Sequence, residues 1–171
     1  FKENIYLGNF LRNSKKPFIL YSGAINQGTG IFNFMVDFCQ SKISKVYQLV
    51  ICGKGEFPSN LDQFLQSKNI QFLGFLKDEE LNFLSYNCAA FINPRLTNNI
   101  IWLNNFPSKL LGYLSYDSPT FSTMTENLMP ELKKLLIPYK SADDILEILL
   151  NEKLMKEHSY FLNKKRSSYT W

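Results

Sequence analysis

Short apolar runs alternate with amphipathic stretches along most of this chain, and that alternation constrains its fold more than any other feature. "PFILYSG" (residues 17–23) ends in Gly, as a buried strand would. Ile31, Phe34, Met35 and Phe38 follow at i, i+3, i+4 and i+7, which predicts one helix face packed on something flat. "YQLVICGKGE" (47–56) reads as a second strand running into Gly-x-Gly. "NLDQFLQSK" (60–68) predicts a short helix and "IQFLGFL" (70–76) a third strand. "KDEELNFLSYN" (77–87) puts Asp78 at a helix cap with acids in the first turn, where the helix dipole favours them. "CAAFINP" (88–94), "PTFST" (119–123) and "LLIP" (135–138) supply three more strands. A helix starts near Pro107, and Ser141 with Asp144 forms a capping box ahead of another. The strands are apolar on both faces, the pattern of a parallel sheet between two layers of helices. The expected class is α/β. The sheet domain covers 17–150, with 1–16 as a linker or edge segment and 151–171 as a helical tail.

Length and composition narrow the options. A chain of 171 residues with 45% apolar side chains can bury one good core and is short for two ordinary domains. The net charge of +4 is mild and its cations are scattered apart from "NKKR" (163–166), read as a solvated helix end. No nucleic-acid footprint follows. Cys39, Cys52 and Cys88 are odd in number and set in apolar sequence, which fits reduced core thiols in a cytoplasmic protein. There is no CxxC, and His158, expected at the surface, is the single histidine. No metal site is expected from such a set, nor any His-dependent triad.

In parallel α/β sheets, ligands bind beyond the carboxyl ends of the strands. The loops there are rich in Gly: Gly23, Gly28 and Gly30 after the first strand, Gly53 and Gly55 after the second. Their spacing fits neither GxGxxG nor GxxxxGK[ST], so the dinucleotide and Walker readings fail. "NNFPSKLLGYL" (104–114) is more informative. Pro107 suits a first helical position, and the amides of Ser108 and Lys109 with the Lys109 ammonium could receive an anion.

Taken in order, "LVICGKGE", "IQFLGFLKDEELNFLSYNCAAFINPR" and "FPSKLLGYLSYDSPTFST" resemble the carboxyl-terminal half of a group-4-type glycosyltransferase, over roughly residues 16–150. That family has two facing Rossmann-like domains, the GT-B architecture, and "NPR…FPSKLL" is most like members that build bacterial surface polysaccharides. The resemblance implies a Rossmann-like sheet that binds a nucleotide-sugar donor such as a UDP- or GDP-sugar, with no metal in this domain and with retention of configuration. It implies base and ribose contacts at Gly74, Phe75, Leu76 and Gly112. It implies diphosphate contacts at the helix start, Phe106, Pro107, Ser108 and Lys109, beside Gly23, and a sugar-facing position for Asn104 and Asn105; Lys54 and Arg95 are the candidates to supply further cations. It also implies a partner, an acceptor-binding amino-terminal domain lying before Phe1, without which no transfer is expected. The ending "SSYTW" resembles the stretch just ahead of the family's last helix. The full enzyme is expected in the cytoplasm or at the inner face of the membrane.

The chain departs from that family in two places. Its paired Glu, with seven residues between them, correspond here to Asn104 and Gly112. The basic pair that follows the first strand is missing from "GAINQGTG" (23–30). Losing a ribose contact to a charged group costs about 1.5–3 kcal/mol, one to two powers of ten in affinity rather than all of it. Gly112 either makes room for a ligand or neighbouring backbone, or records a relaxed site. Two functions therefore stand: a donor-binding domain with an atypical site, which is preferred, and a catalytically silent Rossmann-like module that binds a partner. A flavodoxin-like or receiver-type domain is the weaker third, since no strand ends in Asp.

Overall fold

The computed structural model describes residues 16–96, 108–126 and 128–166. Six parallel strands lie in the order β3-β2-β1-β4-β5-β6: β1 Phe18–Ser22, β2 Gln48–Cys52, β3 Ile70–Gly74, β4 Ala90–Asn93, β5 Thr120–Ser122 and β6 Ile137–Pro138. Between them run α1 Ile31–Gln40, α2 Ile43–Val46, α3 Asp62–Leu65, α4 Asp78–Asn87, α5 Ser108–Leu114, α6 Pro130–Lys133, α7 Ala142–Leu150 and α8 Glu152–Arg166. The α/β class and the parallel sheet with helices on both faces are as the sequence predicts.

Strand side chains alternate between two apolar layers. Ile19, Tyr21, Leu49, Ile51, Ile92 and Phe121 join the inner faces of α1, α2 and α7 in one cluster. Phe18, Leu20, Val50, Cys52 and Phe91 join α4, α5, α6 and Leu162 of α8 in the other. Both faces must be apolar for such a sheet, which is why its strands read as unbroken hydrophobic runs. The first layer is also tied by polar caps. Asp37 of α1 accepts a hydrogen bond from the Ala142 amide at 2.7 Å, and Asp143 accepts one from the Lys42 amide at 2.7 Å.

Local detail refines the sequence reading. Ser141 and Asp144 do form the capping box at the start of α7, with the Asp144 amide donating to Ser141 Oγ at 3.2 Å. At α4 the extended cap residue is Lys77, and Asp78 is the first helical residue. Glu80 closes this start by accepting from the Lys77 amide at 2.9 Å. His158 is half-buried rather than fully on the surface, because it shares a helix face with Leu162, which packs into the second layer. Its Nε2 is shielded from solvent.

Two features of the sheet bear on the site. Its order reverses between β1 and β4, so the chain leaves these neighbouring strands in opposite directions and opens a crevice at their carboxyl ends. Beyond β1 and β2, backbone hydrogen bonds continue into the turns. The Gly23 amide donates to Cys52 O at 3.0 Å, the Gly53 amide to Gly74 O at 2.8 Å and the Ile25 amide to Lys54 O at 2.8 Å. Gly53 is required there: it has φ +145°, and a Cβ on it would stand 1.8 Å from Gly23 O. At the outer edge, the Phe57 ring packs on the Phe72 ring of β3 at 5.1 Å and on Phe32 at 5.6 Å.

Gly112 differs. It is exposed in α5, and a Cβ there would meet nothing within 4 Å. Among the described residues, nothing outside its own helix comes close to it. Gly53→Ala is expected to destabilise the fold by about 2 kcal/mol or more, through strained φ and overpacking. Gly112→Ala should instead stabilise it by about 0.5–1 kcal/mol. Urea unfolding of the two variants beside the parent checks both signs.

Candidate functional site

The crevice holds a cavity of about 420 Å³. Its floor is the zipped turn pair: Ser22, Gly23 and Ala24 after β1, Cys52, Gly53 and Lys54 after β2. Phe75 and Leu76 beyond β3, with Leu81 of α4, form one wall, and Lys109 of α5 forms the opposite one. One end is apolar and the other cationic.

Tyr113 sets the position of α5. Its hydroxyl accepts from the Ser22 amide at 2.7 Å and donates to Ser22 O at 2.9 Å, while its ring stacks on Phe91 of β4 at 4.5 Å and 18°. Burial pushes its pKa up, so it stays a neutral donor. Lys109, one turn earlier on the same helix face, is thereby laid across the end of β1.

The Lys109 stem crosses Gly23, where a Cβ would lie 3.3 Å from Lys109 Cδ. Its ammonium rests 4.2 Å from the centre of the Tyr21 ring and 5.6 Å from that of Tyr113. The Tyr21 hydroxyl donates to Ala24 O at 2.6 Å, which holds that ring in place. Lys109 is half-buried and lines the cavity. Burial first, and then the nearby Arg95 guanidinium, push its pKa down to about 7. Arg95 lies in the turn after β4, half-buried, with its carbonyl accepting from Thr123 Oγ1 at 2.7 Å. Its charge acts on Tyr21 as well as on Lys109.

At the apolar end, Phe75 is 65% exposed and Leu76 is buried. The Lys54 ammonium stands 4.4 Å over the Phe75 ring, a cation–π pair at the lip of the cavity. Cys52 is buried and its thiol pKa is pushed up to about 12 by burial, so it is an inert part of the wall. Among the described residues, no group of three or more His, Cys, Asp and Glu side chains could hold a metal ion. No described helix is long and apolar enough to cross a membrane.

Of the residues singled out from the sequence, Gly23, Lys54, Phe75, Leu76 and Lys109 meet around one cavity, and Arg95 acts on it electrostatically. Gly74 turns the chain beneath Phe75, with φ +69°, and does not line the cavity; Ser108 and Gly112 are exposed and do not line it either. Asn104, Asn105, Phe106 and Pro107 lie outside the described residues. Tyr21, Tyr113, Cys52 and Leu81 escaped sequence reasoning because each reads as ordinary core. The i, i+4 spacing of Lys109 and Tyr113 was the one signal that could have exposed the pair.

A parallel sheet of this order, with glycine turns and two cations gathered at its reversal, defines a Rossmann-like α/β domain of the kind from which GT-B glycosyltransferases are built. The sequence profile described as "Glycosyl transferases group 1" matches residues 5–160, and the chain belongs to that family. No curated protein sequence matches it. Among solved structures, it is similar to the C-terminal domain of the glycosyl transferase group 1 family protein LpcC from Francisella tularensis. The two share 15% identity at a TM-score of 0.66, over 95% of this chain and 91% of that one. It is also similar to the catalytic domain of cholesterol-alpha-glucosyltransferase from Helicobacter pylori, at 14% identity and a TM-score of 0.59, over 88% and 99% of the two chains. Sucrose-phosphate synthase from Thermosynechococcus elongatus matches at 15% identity and a TM-score of 0.65, over 94% of this chain and 44% of that one. The chain thus spans nearly all of two relatives and less than half of the third.

Tyr113→Phe removes a hydroxyl that serves both the amide and the carbonyl of Ser22. Leaving those groups unpaired should cost about 1–3 kcal/mol, a loss measurable by denaturant unfolding. The near-ultraviolet signal of the cavity aromatics should loosen in the same variant.

Proposed function

We propose that this chain is the donor-binding domain of a retaining glycosyltransferase that moves a sugar from a UDP- or GDP-sugar to a glycan or lipid-linked acceptor in bacterial surface polysaccharide synthesis. One observation carries the reading: Lys109 and Lys54 line the same cavity as an exposed aromatic ring, Phe75, and Arg95 is near enough to act on Lys109 electrostatically. A nucleoside diphosphate has matching ends. Its base would lie against Phe75, Leu76 and Leu81, and its diphosphate would sit over Gly23 beside Lys109, with Lys54 at the lip. As the sugar departs, negative charge grows on the diphosphate oxygens. Cations held there in advance stabilise it without rearranging, which lowers the barrier. In this reading the cations stand in for the basic pair missing after β1, and no metal is needed from this domain.

The acceptor belongs to a second domain of the same protein, so the 171 residues alone are expected to bind donor and transfer nothing. The proposed location is the cytoplasm, with the whole enzyme able to work at the inner face of the membrane. The open space at Gly112 favours one competing reading, a silent module that binds a partner, since a ribose-holding carboxylate is absent there.

Calorimetric titration with UDP and GDP separates the two. Saturable binding of either nucleotide is expected at pH 6.5. Lys109→Met should weaken it roughly ten- to hundredfold, matching about 1.5–3 kcal/mol for a hydrogen bond to a charged group. Phe75→Ala should remove about 1–3 kcal/mol of base stacking. No binding of either nucleotide to a folded parent would leave the partner-binding module standing.

A further inference from the structure

Lys54 and Phe75 follow different strands, and backbone hydrogen bonds fix both at the rim of one cavity. The Lys54 carbonyl accepts from the Ile25 amide at 2.8 Å, and the Gly53 amide just before it donates to Gly74 O at 2.8 Å. The register of β2 against β3 shifts here, between Ile51 and Cys52. Gly74, at φ +69°, turns the chain, and Phe75 is left exposed while Leu76 is buried. The Lys54 ammonium then stands 4.4 Å from the centre of the Phe75 ring. An ammonium carries three donors and no acceptor, and a ring face attracts it without supplying the oxygen that those donors suit. Lys109 forms the opposite wall, over Gly23 and the Tyr21 ring. The two lysines of the cavity thus stand at different places, one beside an exposed ring and one over a bare turn.

We propose that Lys54 reads the base of the nucleotide. It selects a base that presents a carbonyl, as uracil and guanine do, over one with the amino group that cytosine and adenine carry at the equivalent position. The inference rests on the donor-binding reading of the same cavity, with the base against Phe75, Leu76 and Leu81. A base lying along that wall turns an edge towards Lys54, because the ammonium is already in contact with the ring. Where that edge holds a carbonyl oxygen, the ammonium donates to it. Where it holds an amino group, donor meets donor and neither is satisfied. Lys54 is exposed, so water competes for its donors. The discrimination is therefore about tenfold, far short of the roughly ten-thousandfold that a sealed polar pocket can reach.

The experiment titrates the 171-residue chain calorimetrically with two matched pairs, UDP against CDP and GDP against ADP, and with inorganic pyrophosphate. In whichever pair binds, the carbonyl-bearing member should bind about tenfold more tightly. Lys54→Met should bring that ratio close to one, chiefly by weakening UDP or GDP. Lys54→Gln, whose amide both donates and accepts, should lose the preference as well. Thermal melts of both variants establish that they are folded. Equal binding of the two members of a pair by the parent overturns the base reading and leaves the donor site standing, as does a preference that survives in Lys54→Met. Weakening of every nucleotide and of pyrophosphate by one common factor in Lys54→Met places the lysine on the diphosphate and overturns it too. Failure of all four nucleotides to bind the folded parent overturns both readings.

Discussion

Backbone hydrogen bonds that run on past the strands make the site what it is. Where β1 and β2 end, Gly23, Gly53 and Ile25 keep donating to carbonyls of the neighbouring turn or strand end, so the turns are zipped into a shared floor instead of standing apart as loops. A side chain cannot be inserted at the tightest of these contacts, since Gly23 O occupies the place of a Gly53 Cβ. At Gly23 and Gly53 the floor is therefore bare backbone. Cationic side chains reach the cavity from α5, through Lys109, and from the turn after β2, through Lys54.

Placing α5 falls to a tyrosine. The Tyr113 hydroxyl satisfies both polar groups of Ser22 at the end of β1, and its ring lies flat on Phe91 of β4. One side chain thus bridges the two strands that flank the sheet's reversal. Lys109 follows from the helical repeat, arriving over Tyr21 and the bare Gly23. A cation held over two aromatic rings beside a cavity is a candidate for anion binding.

The architecture was legible because a two-faced sheet leaves its strands no polar positions. Runs such as "LVIC" and "AAFI" can be little else, and the spacing of Ile31, Phe34, Met35 and Phe38 fixed α1. Less visible were short or conditional features. α2 has four residues and no periodicity to announce it, and the cap of α4 fell on Lys77 because backbone geometry outweighed side-chain preference at Asp78. The site was half legible. Glycine turns and "PSK" marked a place, but the joining of Lys109 to Arg95 depends on strand order, which no local spacing encodes. Tyr21 and Tyr113 are buried aromatics whose hydroxyls find partners only in three dimensions. Phe75 stood out through family resemblance alone, since an exposed aromatic beyond a strand has no pattern of its own.

The two outer margins of the sheet are blunted by different means. β6 is two residues long and ends in Pro138, which has no amide hydrogen to share, while β3 carries the Phe57 and Phe72 rings against its flank. Unpaired strand borders are where copies of one protein zip together into aggregates, and among the described residues the β6 border is too short to present a long row of free donors. Crowding of such molecules would bring together aromatic and charged surfaces rather than main chains. At the β6 margin, strand exchange between copies therefore has little to build on.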